Sequence, residues 1–348
     1  MKFAYAASSA RVVFDDGARH QLAAELDRLG AARALVLSSP GQAVVARALS
    51  DAIGPASVGI FAGAVVHVPA DRAEAARDHA AAVRADAYVA YGGGSAIGLA
   101  KAIALTTGHP IIALPTTFSG SEATPIYGVT EVGVKRTGRD PRVLPRTILY
   151  DPALYAGVPR RVAAPSGLNA IAHAVEALYA VDANPAISAL AEAAIARLAG
   201  ALPLLPDPAA LADAITGGWL AGTCLGAVAM ALHHKLCHAI GGAFDLPHAE
   251  THAILLPHAL AYNAPAAPAA VVAIGRALGV AATEVPVALF DLRARLGVPG
   301  ALGDLGMPRA GIEHIVDLAV AAPYPNPRPV ERVGIRALLT AAFDGARP

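Results

Sequence analysis

Six of the chain's twelve histidines fall between Leu232 and His258: His233, His234, His238, His248, His252 and His258, with Lys235 among them. His234 and His238 are four residues apart, as are His248 and His252, so on helices each pair shares one face. Gly241-Gly242 and Pro247 stand between the pairs and predict a break that folds one pair back toward the other. Imidazoles turned to one pocket can bind metal, donate to an oxyanion or move protons, and spacing alone leaves all three open. Packing is the competing reading for any single histidine; six in one stretch predict a site.

Three further motifs carry chemistry. Tyr91-Gly92-Gly93-Gly94-Ser95 follows an apolar run and precedes a helical pattern. Glycines there let the backbone approach a pyrophosphate, whose charge the helix N-terminus favours. Pro115 to Glu122 follows the next apolar run and offers the hydroxyls of Thr116, Thr117, Ser119 and Ser121. Two polar loops at the ends of neighbouring parallel strands make a crevice suited to a dinucleotide, with Gly93, Gly94, Ser95, Thr116, Thr117 and Ser119 as its contacts. In the third motif, Ser166 to Glu176, Ser166 is read as a helix N-cap, which puts Asn169 and His173 together on the inner face. The competing reading makes Asn169 a helix-end hydrogen-bonder and His173 a buried packer.

The elements that must position these residues fall into two halves. Apolar runs at 12–14, 34–37, 58–61, 87–91, 111–114 and 148–150 read as strands, and helical patterns lie at 18–29, 41–53, 71–84 and 96–105. That alternation predicts a parallel sheet covered on both faces. Residues 126–146, with Thr130, Gly133, Gly138, Pro141 and Pro145, read as a hairpin excursion. Beyond Asp151-Pro152 the chain turns Ala- and Leu-rich with helical spacing and predicts a helical domain. The uncharged stretch Ala214–Leu232 is long enough to span a bilayer, but its small residues and its run into His233-His234-Lys235 predict a buried helix.

Composition narrows the function. A chain of 348 residues that is 55% hydrophobic can bury a large core, and a net charge of +0 gives no reason to expect a nucleic-acid or membrane partner. Two cysteines, Cys224 and Cys237, form no disulfide framework, and the start Met1-Lys2-Phe3 lacks the apolar core of a signal peptide; both features predict a cytoplasmic protein.

Together the motifs resemble the iron-containing (group III) alcohol dehydrogenase family, over nearly the whole chain. The family's first phosphate loop, Gly-Gly-Gly-Ser-x-x-Asp-x-x-Lys, is matched by Gly92 to Lys101 with Gly98 at the Asp, and its second by Thr116 to Glu122. Its metal ligands are an Asp, a His four later and two His fourteen apart; Asn169, His173, His234 and His248 stand in those places. A carboxamide is a far poorer ligand than a carboxylate, so loss of metal is favoured, although three histidines can hold zinc. The stretches 92–99, 168–173, 247–252 and 324–329 are similar to a branch that reduces the carbon–carbon double bond of an unsaturated oxo-dicarboxylate in aromatic-compound catabolism. Members of that branch use NADH or NADPH and are regarded as working without a catalytic metal.

The resemblance implies an α/β N-terminal nucleotide-binding domain, set here at 1–156, and an all-helical C-terminal catalytic domain, 157–348. This is the dehydroquinate synthase-like fold, and a homodimer is implied with it. The chemistry expected is conjugate hydride addition with an enolate to stabilise. His173, His234, His238 and His248 are the donor candidates, one of these or His252 gives the proton, and Asn169 lies beside them. Lys235 and Arg328 are the candidates for holding the dianion. A metal-dependent alcohol dehydrogenase of the same fold is the alternative, and a catalytically idle nucleotide-binding protein the second. Ser38, after the run Ala34–Leu37, stands where NAD-specific relatives carry an Asp, and it brings no charge to repel a 2′-phosphate.

Overall fold

The computed structural model describes residues 3–7, 10–131 and 134–348. Met1-Lys2, used above in reading the N-terminus, and Gly133, read as part of the hairpin, lie outside the described residues. The chain divides into two compact units with the break at Val158/Pro159, two residues past the expected boundary, and residues 3–6 group with the second unit.

The first unit is built on a six-stranded sheet in the order β1-β8-β5-β4-β2-β3, every pair parallel. In chain order its elements are β1 (Arg11–Phe14), α1 (Leu22–Leu29), β2 (Ala34–Leu37), α2 (Ala43–Ile53), β3 (Ser57–Phe61), α3 (Ala70–Ala82), β4 (Ala87–Gly92), α4 (Gly94–Thr107), β5 (Ile111–Pro115), β6 (Ile126–Glu131), β7 (Val134–Arg139) and β8 (Thr147–Tyr150). Strands β2, β4, β5 and β8 are buried along their whole length, which is why their sequences read as unbroken apolar runs. Alternate residues serve opposite faces: Leu35, Leu37 and Tyr88 pack with Ile97 and Ile103 of α4, while Val36 and Val89 pack with Leu26 and Leu49 of α1 and α2. The excursion at 126–146 is an antiparallel pair, β6 with β7, in a sheet of its own.

The strand order places a topological switch between β2 and β4. The crossover from β2 leads outward to β3, and the one from β4 leads the other way to β5. The loops at the carboxyl ends of β2 and β4 are therefore where such a sheet binds a ligand.

The second unit is helical: α5 (Arg160–Leu178), α6 (Pro185–Ala201), α7 (Pro208–Ala227), α8 (Leu232–Phe244), α9 (His248–Asn263), α10 (Pro268–Leu278), α11 (Val285–Arg295), α12 (Gly311–Val320) and α13 (Arg332–Asp344). Three expectations are corrected. Ser166 is no N-cap: α5 starts six residues earlier, runs through Pro165, and the Ser166 hydroxyl donates to the Ala163 carbonyl at 3.0 Å. Gly241-Gly242 lie inside α8, and the break is made by Asp245, whose left-handed backbone ends the helix, and by Pro247 before α9. The uncharged stretch 214–232 is two elements, since α7 ends at Ala227 and α8 leaves it at 93°. The stretch Pro185–Leu204 also has the length and mean hydropathy (1.4) of a span, but its Glu192 and Arg197 pair with Arg276 and Asp213 within the unit.

Candidate active site

In the helical unit the chemistry is organised by the N-terminus of α8. A helix start leaves its first backbone N–H groups without partners, and α8 has no cap of its own. Glu176, from α5, supplies most of what is missing. Its Oε2 accepts from Ala231 N (2.9 Å) and His234 N (3.4 Å), and its Oε1 from His233 N (2.8 Å). Asn326 accepts the fourth donor, Leu232 N, at 3.3 Å, and its amide exchanges two hydrogen bonds with that of Asn263, at 2.8 and 3.0 Å. Burial raises the Glu176 carboxyl, opposed by His233 and by these backbone donors.

The same carboxylate orients the first histidines. His234 Nδ1 lies 2.7 Å from Glu176 Oε2, and His173 Nδ1 lies 2.7 Å from His234 Nε2. His233 turns the other way; its Nε2 is 3.0 Å from the His252 carbonyl, which can only accept, so that nitrogen carries the hydrogen. His252, fully buried on α9, sits at the centre. Its ring is 4.9 Å from those of His233 and His234, 6.1 Å from His173 and 4.3 Å from His248. Neither of its ring nitrogens has a protein partner. Burial, then the surrounding imidazoles, pushes His252 and His234 well below the ordinary histidine range, so both are neutral near pH 7.

From this buried group a ladder leads outward. His248 is half-buried, its ring stacked 6.1 Å from that of the exposed His238. The structure thus gathers His173, His234, His238, His248 and His252, and Asn169 shares the His173 face of α5 with its Oδ1 buried and unpartnered. His258 stands apart: it packs on Phe290 at 6.3 Å, and burial, with Arg293 beside it, lowers it to about 4. Lys235 is half-buried with Nζ 5.6 Å from the centre of the Tyr324 ring. Arg328 lies over the Tyr262 ring at 4.3 Å and donates to the Tyr262 carbonyl at 3.1 Å, so its guanidinium already has structural work in place of the dianion clamp expected of it.

The residues at the family's metal positions do not fit a divalent cation as they stand. Asn169 replaces the carboxylate, and His173 Nδ1 and His234 Nε2 are hydrogen-bonded to each other. Two other donor trios lie within 4.8 Å, Glu176–His233–His234 and His233–Cys237–His252. The first uses the carboxylate that caps α8. In the second, His233 Nε2 donates to a carbonyl and burial holds the Cys237 thiol well above its ordinary value.

In the α/β unit the glycine loop stands at the switch point. Gly92 has φ +137°, a conformation side chains resist, and a Cβ on Gly93 would lie 2.9 Å from the Thr117 methyl, so the two loops touch only because Gly93 is bare. Gly93 and Gly94 open α4, leaving its first amides for an anion. Gly93, Gly94, Ser95, Thr117 and Ser119 are at least partly open. Two expected contacts are not. Ser38 is fully buried, its backbone continues the pairing with β3 and its hydroxyl donates to Ser39 O at 3.2 Å. Thr116 is buried and accepts from Gln42 Nε2 at 3.2 Å. Ser39, bonded to Gln42 at 3.0 Å, is the half-open hydroxyl past β2 that the sequence reading missed by one position. Lys101, the last residue of the loop motif, is 2% exposed and donates to Ser121 O, Thr124 O, Thr124 Oγ1 and Ile126 O at 2.6–2.9 Å. Burial lowers its pKa to about 7, with Glu122 opposing.

Comparison with known proteins agrees with this arrangement. The family described as iron-containing alcohol dehydrogenase matches residues 9–152, and the C-terminal part of the Fe-containing alcohol dehydrogenase family matches 163–343. A maleylacetate reductase of Burkholderia cepacia is 55% identical over 99% of both chains, and one of Sphingobium indicum 49% over 100% of this chain and 99% of its own. The crystal structure of maleylacetate reductase from Agrobacterium tumefaciens, 47% identical, superposes with a TM-score of 0.95 over 100% of each chain.

Proposed function

We propose the reaction from one premise: the chain belongs to the iron-containing alcohol dehydrogenase family. It is a maleylacetate reductase, an oxidoreductase that converts maleylacetate to 3-oxoadipate with NADH or NADPH. The observation that carries the chemistry is the group of imidazoles gathered around the buried His252, whose own pKa burial pushes well below the ordinary histidine range. A reduced nicotinamide, held by the glycine loop and the Thr117–Ser119 loop, would supply hydride to the alkene carbon remote from the ketone. The π electrons move onto the ketone oxygen, and the resulting enolate is where preorganised N–H donors lower the barrier most. His252 supplies such a donor. The carbon beside the ketone then takes a proton, replenished along His248 and His238 from solvent, so one hydride and one proton are added and the cofactor leaves oxidised. Lys235 draws in a substrate carboxylate. The glycine loop and the Thr117–Ser119 loop hold the dinucleotide. NADH oxidation that depends on added maleylacetate is the test, and a protein that binds NADH yet turns over no oxo-acid overturns the reading.

We read the enzyme as independent of metal, on the mutual bond between His173 and His234 and on Asn169. Purified protein is expected to carry far less than one iron or zinc per chain and to keep its activity after chelation. One metal per chain, lost together with turnover, would instead favour a metal-dependent alcohol dehydrogenase. Both cofactors are expected to serve, because Ser39, the half-open hydroxyl past β2, brings no charge to repel a 2′-phosphate. Ser39→Asp should raise KM for NADPH by about tenfold or more through like-charge repulsion and leave NADH nearly unchanged. An unchanged NADPH KM would place the selector elsewhere. The enzyme is further read as a cytoplasmic homodimer: Cys224 and Cys237 are free thiols, and β1 is a sheet edge carrying a half-exposed Phe14. Sedimentation would report the dimer.

A further inference from the structure

We propose that Glu176 is a positioning residue of this reaction: it fixes the N-terminus of α8 and the tautomer of His234, and through His234 that of His173. The inference rests on the reading that the imidazole cluster around His252 acts on the oxo-acid, with His173 and His234 as its fixed support.

The argument is one of counting donors. Glu176 receives three backbone N–H groups, from Ala231, His233 and His234. A carboxylate can only accept, so the ring nitrogen 2.7 Å from its Oε2 donates as well, beside these amides and the Tyr179 hydroxyl at 3.5 Å. His234 then carries its hydrogen on Nδ1 and presents a lone pair at Nε2. The only way to make a 2.7 Å contact with that lone pair is for His173 Nδ1 to donate into it. One carboxylate thus sets the direction of two imidazoles in series. It does so from the end of a helix whose dipole favours a negative charge there. A free imidazole prefers no such arrangement strongly, and an unfixed pair would sample both directions.

The placement explains why a carboxylate stands three residues after His173 on α5. Asn169, His173 and Glu176 fall on one face at spacings of four and three, and Glu176 reaches past the imidazoles to the backbone that carries His233 and His234. It touches no reacting atom. Its role is to leave the imidazoles with one proton arrangement when the substrate arrives.

The test reads the tautomer directly. Long-range ¹H–¹⁵N spectra of the substrate-free enzyme, with the His234 signals assigned by their loss in His234→Gln, should show a pyrrole-like Nδ1 and a pyridine-like Nε2. Glu176→Ala should mix or reverse that pattern and lower kcat by about 10²-fold, the scale of a mispositioned acid–base group, with NADH affinity within about twofold. Glu176→Gln still offers an oxygen to the edge that takes Ala231 N and His234 Nδ1, and should restore the pattern and kcat to within about tenfold of wild type. Asn326→Ala is the control, because Asn326 caps the same helix end without touching an imidazole. It should lower the melting temperature while leaving kcat within about threefold. A wild-type spectrum with the hydrogen on Nε2 overturns the proposal, and so does a folded Glu176→Ala with wild-type kcat. The wild-type spectrum decides even if the alanine variant does not fold. It needs no substrate, so the proposal can fail or stand independently of the maleylacetate assay.

Discussion

Replacing His234 or His248 by alanine is expected to lower kcat by about 10²-fold or more, the usual scale for an acid–base or oxyanion group. NADH affinity should hardly move, because the loops proposed to hold the dinucleotide belong to the α/β unit and the two histidines to the helical one. The two variants separate two causes. His234 is buried between Glu176 and His173, so its loss also breaks the series of hydrogen bonds. His248 is half-open and 4.3 Å from His252, so its loss interrupts the route to solvent with little effect on folding. His258→Ala is the matched control: it comes from the same stretch and is as buried as His234, but it packs on Phe290. It should lower stability and leave kcat alone. Stopped-flow measurement of NADH oxidation would isolate the chemical step. If both His234→Ala and His248→Ala turn over normally, the histidines are structural and the chemistry lies elsewhere.

The second large effect is on stability. Lys101→Met should destabilise the α/β unit by about 3–5 kcal/mol, the scale seen when one partner of a buried charged contact is removed. Methionine matches the lysine stem but offers no donor, and it would remove the ammonium from the carbonyls of Ser121, Thr124 and Ile126 and from the Thr124 hydroxyl, of which Ser121 O and the hydroxyl keep a partner within the segment. A loss of that size in a unit of this length lowers the melting temperature by roughly 10 °C. NADH affinity should weaken as well, since the 121–126 segment continues directly from the loop at Thr117 and Ser119. Calorimetry and a fluorescence titration of NADH would report the two effects. A variant that melts with the wild type would show that the ammonium does not hold the 121–126 segment.

Much of this was legible in the sequence. The buried strands announced themselves as apolar runs because both of their faces are covered, and the hairpin by its Gly and Pro placement. The histidine pairs worked because four-residue spacing survives any packing of the helix that carries them. What escaped depended on tertiary contacts. Glu176 lay inside a quoted motif, but its task is to cap a helix 55 residues further on, and no local pattern states that. Ser38 was taken for the open hydroxyl because the apolar run ends at Leu37, whereas the pairing with β3 continues for one more residue. A slip of one position along a strand exchanges the buried side for the open one. Arg328 was read by its charge, and the aromatic ring that claims it lies 66 residues away.

The N-terminus of α8 has a consequence for the order in which the site comes into being. The backbone of Ala231, Leu232 and His233 is held by Glu176 from upstream and by Asn326, 94 residues downstream of Leu232. During synthesis the histidines therefore emerge long before the residue that completes their support. Contacts closed over such separations form late, after the loop between them has been ordered. A chain released before Asn326 would contain every imidazole of the cluster and lack one of the two side chains that hold this helix end. The same truncation removes α13, whose Ile335, Leu338 and Leu339 share a core with Leu232 and Ile240 of α8, so the scaffold of the site is completed only with the last portion of the polypeptide.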